Sequence, residues 1–136
     1  METAMSPDSV ETCITDFAVK FFDTVCIETW SAKRVLGQLY PDGPKCASCG
    51  AMITGRRALE TFWRGERTFC SGCGNKFTPT TGTILEGSHM AFSQFEKLCI
   101  LLSLGVDHKR IAAMTGLHTD TVANWHAKIK FWESHV

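Results

Sequence analysis

At 136 residues and 15.1 kDa the chain has room for one ordinary domain, or two small ones sharing a core, which excludes a large multidomain enzyme. Hydrophobic residues make up 44% and charged residues 21%, the composition of a chain that buries a core and not of a disordered one. The formal charge is zero, but residues 1–30 hold six acids against one base and residues 31–136 hold thirteen Lys or Arg against eight Asp or Glu, so neutrality leaves room for a basic face that attracts polyanions.

No apolar run of about 18 residues occurs, and the start METAMSPDSVET lacks the basic and apolar regions of a secretory signal. A soluble, cytoplasmic protein with no membrane partner is therefore expected. In that compartment seven cysteines stay reduced, so their spacing points to metal before disulfides.

In chain order, Val10, Ile14, Phe17, Ala18, Phe21, Phe22 and Val25 recur at spacings of three and four, which predicts an amphipathic helix over about residues 8–22 capped by Asp8 or Ser9. A second helical stretch is expected from Thr24 to Leu39, with Trp30, Val35 and Leu36. It stops at Tyr40-Pro41-Asp42-Gly43-Pro44, where two prolines and a glycine break any helix. From Lys45 to about Gly87 no helical period is evident. Short β-prone runs such as Thr61-Phe62-Trp63 and Arg67-Thr68-Phe69 alternate with Gly, Cys and Thr-Pro clusters, which predicts short strands and tight knuckles. Helical spacing returns with Phe92, Phe95, Leu98 and Leu102, then Ile111, Ala112 and Met114, then Val122, Trp125 and Ile129, separated by Gly105 and Gly116. Three helices are expected there.

Two Cys-x-x-Cys-Gly knuckles, Cys46-Cys49-Gly50 and Cys70-Cys73-Gly74, lie twenty residues apart. Two thiolates three positions apart at a tight turn grip one edge of a metal, and the following glycine allows the positive φ that the turn needs. Two such turns complete a tetrahedron, so Cys46, Cys49, Cys70 and Cys73 are expected to hold one structural Zn²⁺. A redox pair would need a βαβ setting, and a catalytic zinc would need an open position that four thiolates close. Cys13, Cys26 and Cys99 lie among apolar residues and are expected to pack as small hydrophobes.

Around the knuckles, Lys45, Arg56, Arg57, Arg64, Arg67 and Lys76 interleave with Phe62, Trp63, Phe69 and Phe77. These bases and rings either grip phosphates and stack on nucleobases, or form a solvated edge over a core built from the same rings. Arg56, Arg57 and Arg64 are the favoured contacts because they are expected in a hairpin.

From Asp107 to Trp125, apolar Ile111, Ala112, Leu117, Val122 and Trp125 surround Gly116 in the spacing of a helix-turn-helix. Its outward face would comprise His118, Thr119, Asp120, Ala123, Asn124, Ala127 and Lys128. In a DNA-binding unit these positions meet base edges and phosphates, with Asn124 suited to adenine. Lys109 and Arg110 would sit at the backbone. An ordinary helical hairpin, with Asp120 at the helix start and Asn124 solvated, is the alternative. His89, His108, His118, His126 and His135 form no metal pattern and are expected at the surface.

These residues resemble the insertion-sequence transposases that begin with a transposase zinc-ribbon domain. Tyr40-Pro41-Asp42-Gly43 leads into Cys46-x-x-Cys49-Gly50. Then Phe69-Cys70-x-x-Cys73, Phe77-Thr78 and Thr80-Thr81-Gly82-Thr83-Ile84-Leu85-Glu86-Gly87-Ser88 follow in that family's manner. The similarity runs over roughly residues 23–129. It implies a ribbon, a helix over residues 92–104 and a helix-turn-helix that recognise DNA. The family's catalytic domain would follow where this sequence ends, so recognition without cleavage, and no enzyme activity, is the expectation.

The expected fold is small α+β. An N-terminal helical segment (1–40) and a four-cysteine zinc ribbon of short antiparallel strands (41–88) precede a three-helix unit with the helix-turn-helix (89–136). The expected function is non-catalytic, zinc-dependent binding of double-stranded DNA in transcription regulation. The alternatives are an RNA-polymerase-binding factor or phage-type antiterminator that docks through its acidic N-terminal segment, and an end-recognition subunit of a transposase.

Overall fold

The computed structural model describes residues 7–134, with side chains from Ile14 onward apart from Thr15. The cap expected at Asp8 or Ser9 is not seen, because the first helix already begins at Pro7; the side chains of Val10 and Cys13, and all of His135, lie outside the described residues. Within them the chain is α+β, with six helices and one two-stranded antiparallel sheet.

Helices α1 (Pro7–Val25) and α2 (Glu28–Leu39) meet at Cys26-Ile27. The second helix does not start at Thr24 as expected, because Thr24 and Val25 finish α1. The Cys26 N–H closes that helix on the Phe22 carbonyl at 2.7 Å, and extended Ile27 opens α2. The break lets Phe22 and Cys26 enter one core cluster while Val35 enters another. Only part of the apolar stripe of α1 is covered: Phe22 is buried, whereas Ile14, Phe17 and Phe21 are exposed by 63%, 71% and 62%.

The segment expected to lack helix contains one, α3 (Arg56–Trp63), so Thr61-Phe62-Trp63 is helical and not a strand. Ala58, Leu59 and Phe62 fall at spacings of three and four and turn one face onto the cysteine core, with Phe62 fully buried there. Eight residues are too few for periodicity to stand out between glycines. Strands β1 (Thr68–Phe69) and β2 (Lys76–Phe77) form the expected short antiparallel pair, in register Thr68↔Phe77 and Phe69↔Lys76. Tyr40, Trp63 and Phe77 stand edge-on around Phe62, with centroids 5.0, 5.4 and 6.3 Å away. Such pairs add about 0.5–1.5 kcal/mol each beyond area burial.

The three expected C-terminal helices are α4 (Phe92–Ser103), α5 (His108–Thr115) and α6 (Thr119–Ser134). Asp107 caps α5 by accepting from the Arg110 N–H at 2.8 Å, and Gly116 ends it at φ 77°. Leu98, Leu101, Ile111 and Val122 are the centre of one cluster with Phe22 and Cys26. Phe95 joins Val35, Ile84 and Leu85 in another, and Trp125 packs against both.

Polar contacts fix the first two helices to α4. Glu28 accepts from the N–H groups of Phe92 and Ser93 at 2.8 and 3.0 Å, capping α4 from a distant part of the chain. Arg34 donates through Nε and Nη2 to both Glu96 oxygens at 2.6 and 2.7 Å, Ser31 adds a third bond at 3.0 Å, and Lys97 pairs with Asp23 at 3.1 Å. Gly65 marks a close approach to the helical region: its φ is 75°, and a Cβ there would collide with the Phe92 ring. No helix among the described residues is long and apolar enough to cross a membrane.

Candidate metal centre

The two knuckles are built alike. In the first, the Cys46 N–H donates to the Ala51 carbonyl at 2.9 Å and the Gly50 N–H returns to the Cys46 carbonyl at 3.0 Å. In the second, Cys70 and Gly74 repeat this pattern with Asn75 and Cys70, at 3.0 and 2.8 Å. Each knuckle is flanked in the same register, by a single bridge Lys45↔Met52 and by the pair Phe69↔Lys76. Gly50 and Gly74 take φ of 74° and 78°, the left-handed conformation that the spacing demands and that side chains resist.

The turns aim four sulfurs at one point, with every Sγ within 4.8 Å of the others. Cys46 and Cys73 approach to 3.6 Å, and Cys49 and Cys70 to 3.7 Å. A tetrahedron with metal–sulfur bonds of about 2.3 Å has edges of about 3.8 Å, so the four residues are positioned to bind one metal ion. Cys46 and Cys70 are buried in the aromatic cluster, whereas Cys49 and Cys73 are exposed. The inner pair joins the site to the core and the outer pair closes it.

The thiols are electrically distinct. The Cys49 N–H, helped by that of Ser48 at 3.3 Å and by bonds from Cys73 and Cys49, holds the Cys46 thiol down to about 6 against burial. At Cys49 the Ala51 N–H acts downward, but the Cys70 bond, burial and bonds to Cys46 and Cys73 outweigh it and push that thiol up to about 11. The backbone N–H bonds favour a thiolate within the cluster, and a bound cation would displace the protons that its sulfurs share. Burial pushes both Cys26 and Cys99 up to about 11, and neither joins the cluster. Their expected packing role matches this, Cys26 within one cluster and Cys99 at the edge of another.

The residues expected at nucleic acid are spread over two helical surfaces. Arg56 and Arg57 open α3 and Arg64 follows it, so none lies in the hairpin expected for them, because the segment is a helix. All three are exposed. Of the interleaved rings, Phe62 and Phe77 are buried in the core, while Phe69 remains 46% exposed. On the α5–α6 pair, Lys109, Arg110, His118, Thr119, Asp120, Asn124, Ala127 and Lys128 are exposed and Ala123 is half-buried, whereas Val122 is fully buried. The Lys128 ammonium lies 4.6 Å from the Trp125 ring centroid.

Sequence reasoning missed the pairing of His108 on α5 with His126 on α6. Their Nε2 and Nδ1 atoms are 2.8 Å apart, which ties the two helices together. Burial first, then Lys130 and His108, lower the His126 pKa, while Glu133 acts the other way. Their separation of 18 residues carries no signature in sequence; only the crossing of the helices unites them. No family model matches the chain, and neither a curated relative nor a solved structure matches it.

Proposed function

We propose that the protein is a zinc-dependent, non-catalytic DNA-binding protein that acts in transcription regulation, with α5 and α6 serving as a helix-turn-helix. The observation that carries this reading is the two-sided character of α6. Val122 is fully buried while Thr119, Asp120, Asn124, Ala127 and Lys128 on its other sides are exposed. In this reading the exposed side enters the major groove, Asn124 addresses a base edge, and Lys109 and Arg110 contact phosphates. The four thiolates hold one Zn²⁺, which closes the cysteine region and supplies no reaction there. Arg56, Arg57 and Arg64 add phosphate contacts. The resemblance to the transposase zinc-ribbon family supports the same assignment.

The test is duplex binding as a function of salt. Affinity should fall steeply on a log-log plot as several phosphates are neutralised. Asn124→Ala should cost about 1–3 kcal/mol at the preferred site, whereas Arg57→Ala should weaken all sequences alike. Equal, sequence-blind losses from both would overturn the assignment.

A second reading, a factor that docks on another protein such as RNA polymerase, is favoured by Ile14, Phe17 and Phe21. These exposed rings and side chain lie on one helix beside Asp16 and Asp23. Binding of purified polymerase that is lost in Phe17→Ser, with no salt-dependent duplex binding, would select it.

A further inference from the structure

A cleft of about 830 Å³ lies between α2 and α3, walled by Trp30, Lys33, Leu59, Trp63, Arg56 and Arg64. Sequence placed Trp30 in the second helical stretch. The structure leaves it 58% exposed, with the Lys33 ammonium 5.4 Å from its ring centroid. Trp63 faces the cleft from the other wall and is held edge-on by buried Phe62. Three cations line this space against one carboxylate, Glu60, which accepts from Arg56 Nε at 3.2 Å. A second groove shares Arg56 and Arg64 and extends the cationic path through Arg57, Arg67 and Lys76, past exposed Phe69 and with Glu66 as a further acid.

Cations and indoles in one cleft call for a ligand that offers phosphates and flat ring faces together. A duplex offers the phosphates but hides its base faces in the stack. An acidic peptide offers charge, which satisfies Lys33, Arg56 and Arg64 but leaves the two indoles without planar partners. An unpaired strand offers both, and stacking on aromatic side chains within a positive groove is the general mode of single-strand binding. We propose that the α2–α3 cleft binds a single-stranded segment of DNA, with Trp30 and Trp63 stacking on bases and Lys33, Arg56 and Arg64 holding phosphates. The proposal deepens the DNA reading above, on which it rests for the class of ligand, by giving the cations near the cysteines a strand of their own.

The experiment measures anisotropy of labelled dT12, of a mixed-sequence duplex and of rU12 with the zinc-loaded full chain. We expect dT12 to bind, and Trp30→Ala and Trp63→Ala each to weaken it by about tenfold. Duplex affinity should change less than twofold in these variants, and Asn124→Ala should leave dT12 affinity unchanged. Trp30 is the more exposed ring, so Trp30→Ala decides the matter if Trp63→Ala melts early. Duplex binding without dT12 binding would overturn this proposal alone, and loss of both would overturn the DNA reading as well. Unchanged dT12 affinity in Trp30→Ala, tighter binding of rU12, or equal displacement by polyglutamate would each overturn the cleft assignment.

Discussion

The cysteine region and the helical region solve the same problem by different means. Around the cysteines the sheet is two residues long on each strand, and Cys46, Ile53, Phe62, Cys70 and Phe77 are its buried cluster. Two of those five residues are candidate metal ligands. The helical region instead stacks two clusters of ordinary side chains and ties them with Glu28, Arg34 and Glu96. A small core closed by thiolates would depend on the cation they are positioned to bind; a larger apolar one depends on packing.

The largest expected effect follows from that difference. Chelation, or Cys70→Ser, should remove a contribution of about 10–16 kcal/mol and unfold the cysteine region. In hydrogen exchange, the Gly50 and Gly74 amides should lose protection while α4 keeps its own. Simultaneous loss in both regions would erase the distinction between them. Next, Phe62→Ala and Ile111→Ala should each destabilise by about 2–5 kcal/mol, since both side chains are fully buried. In chemical denaturation with and without chelator, the Ile111→Ala loss should persist in both conditions and the Phe62→Ala loss only with metal.

Gly65→Ala probes the seam between the regions. Its left-handed conformation alone should cost about 1–2 kcal/mol, and the collision with Phe92 adds to that. The thermal transition should fall and divide into two steps. Glu28→Ala, which uncaps α4, should cost about 1 kcal/mol and lower the helical transition without changing metal content.

The smallest expected effect is a pH dependence. The Arg34 guanidinium, with lesser bonds from Cys26 and Ser31, holds the Glu96 carboxyl below its usual range against burial. A depressed folded pKa stabilises above the unfolded value, so this contribution is present at neutral pH and lost as pH falls through the carboxylate range. Glu96→Gln should flatten the acid limb of helical stability in a pH series of melts, leaving the cysteine region's limb unchanged.

The spacing of Cys46, Cys49, Cys70 and Cys73 was legible because a metal site at tight turns is local chemistry, two ligands and a glycine at fixed offsets. Helices α4, α5 and α6 were legible for a related reason: a stripe such as Phe95, Leu98 and Leu102 repeats along one element. Helix α3 was not, since eight residues between glycines give periodicity too little length and its helical state depends on Phe62 reaching the cysteine core. Nor could the pattern in α1 reveal that Phe22 is covered and Phe17 is not, because that depends on which neighbours arrive.

Sequence by itself determined the candidate metal-ligand set, the glycine turns and the main helical periods, all properties of residues close along the chain. Tertiary structure alone decided that Glu28 caps α4, that His108 meets His126, and that Trp30 and Trp63 share one cleft. Those pairings join residues 18 to 65 positions apart, and only the packing of whole helices brings such distant groups within reach.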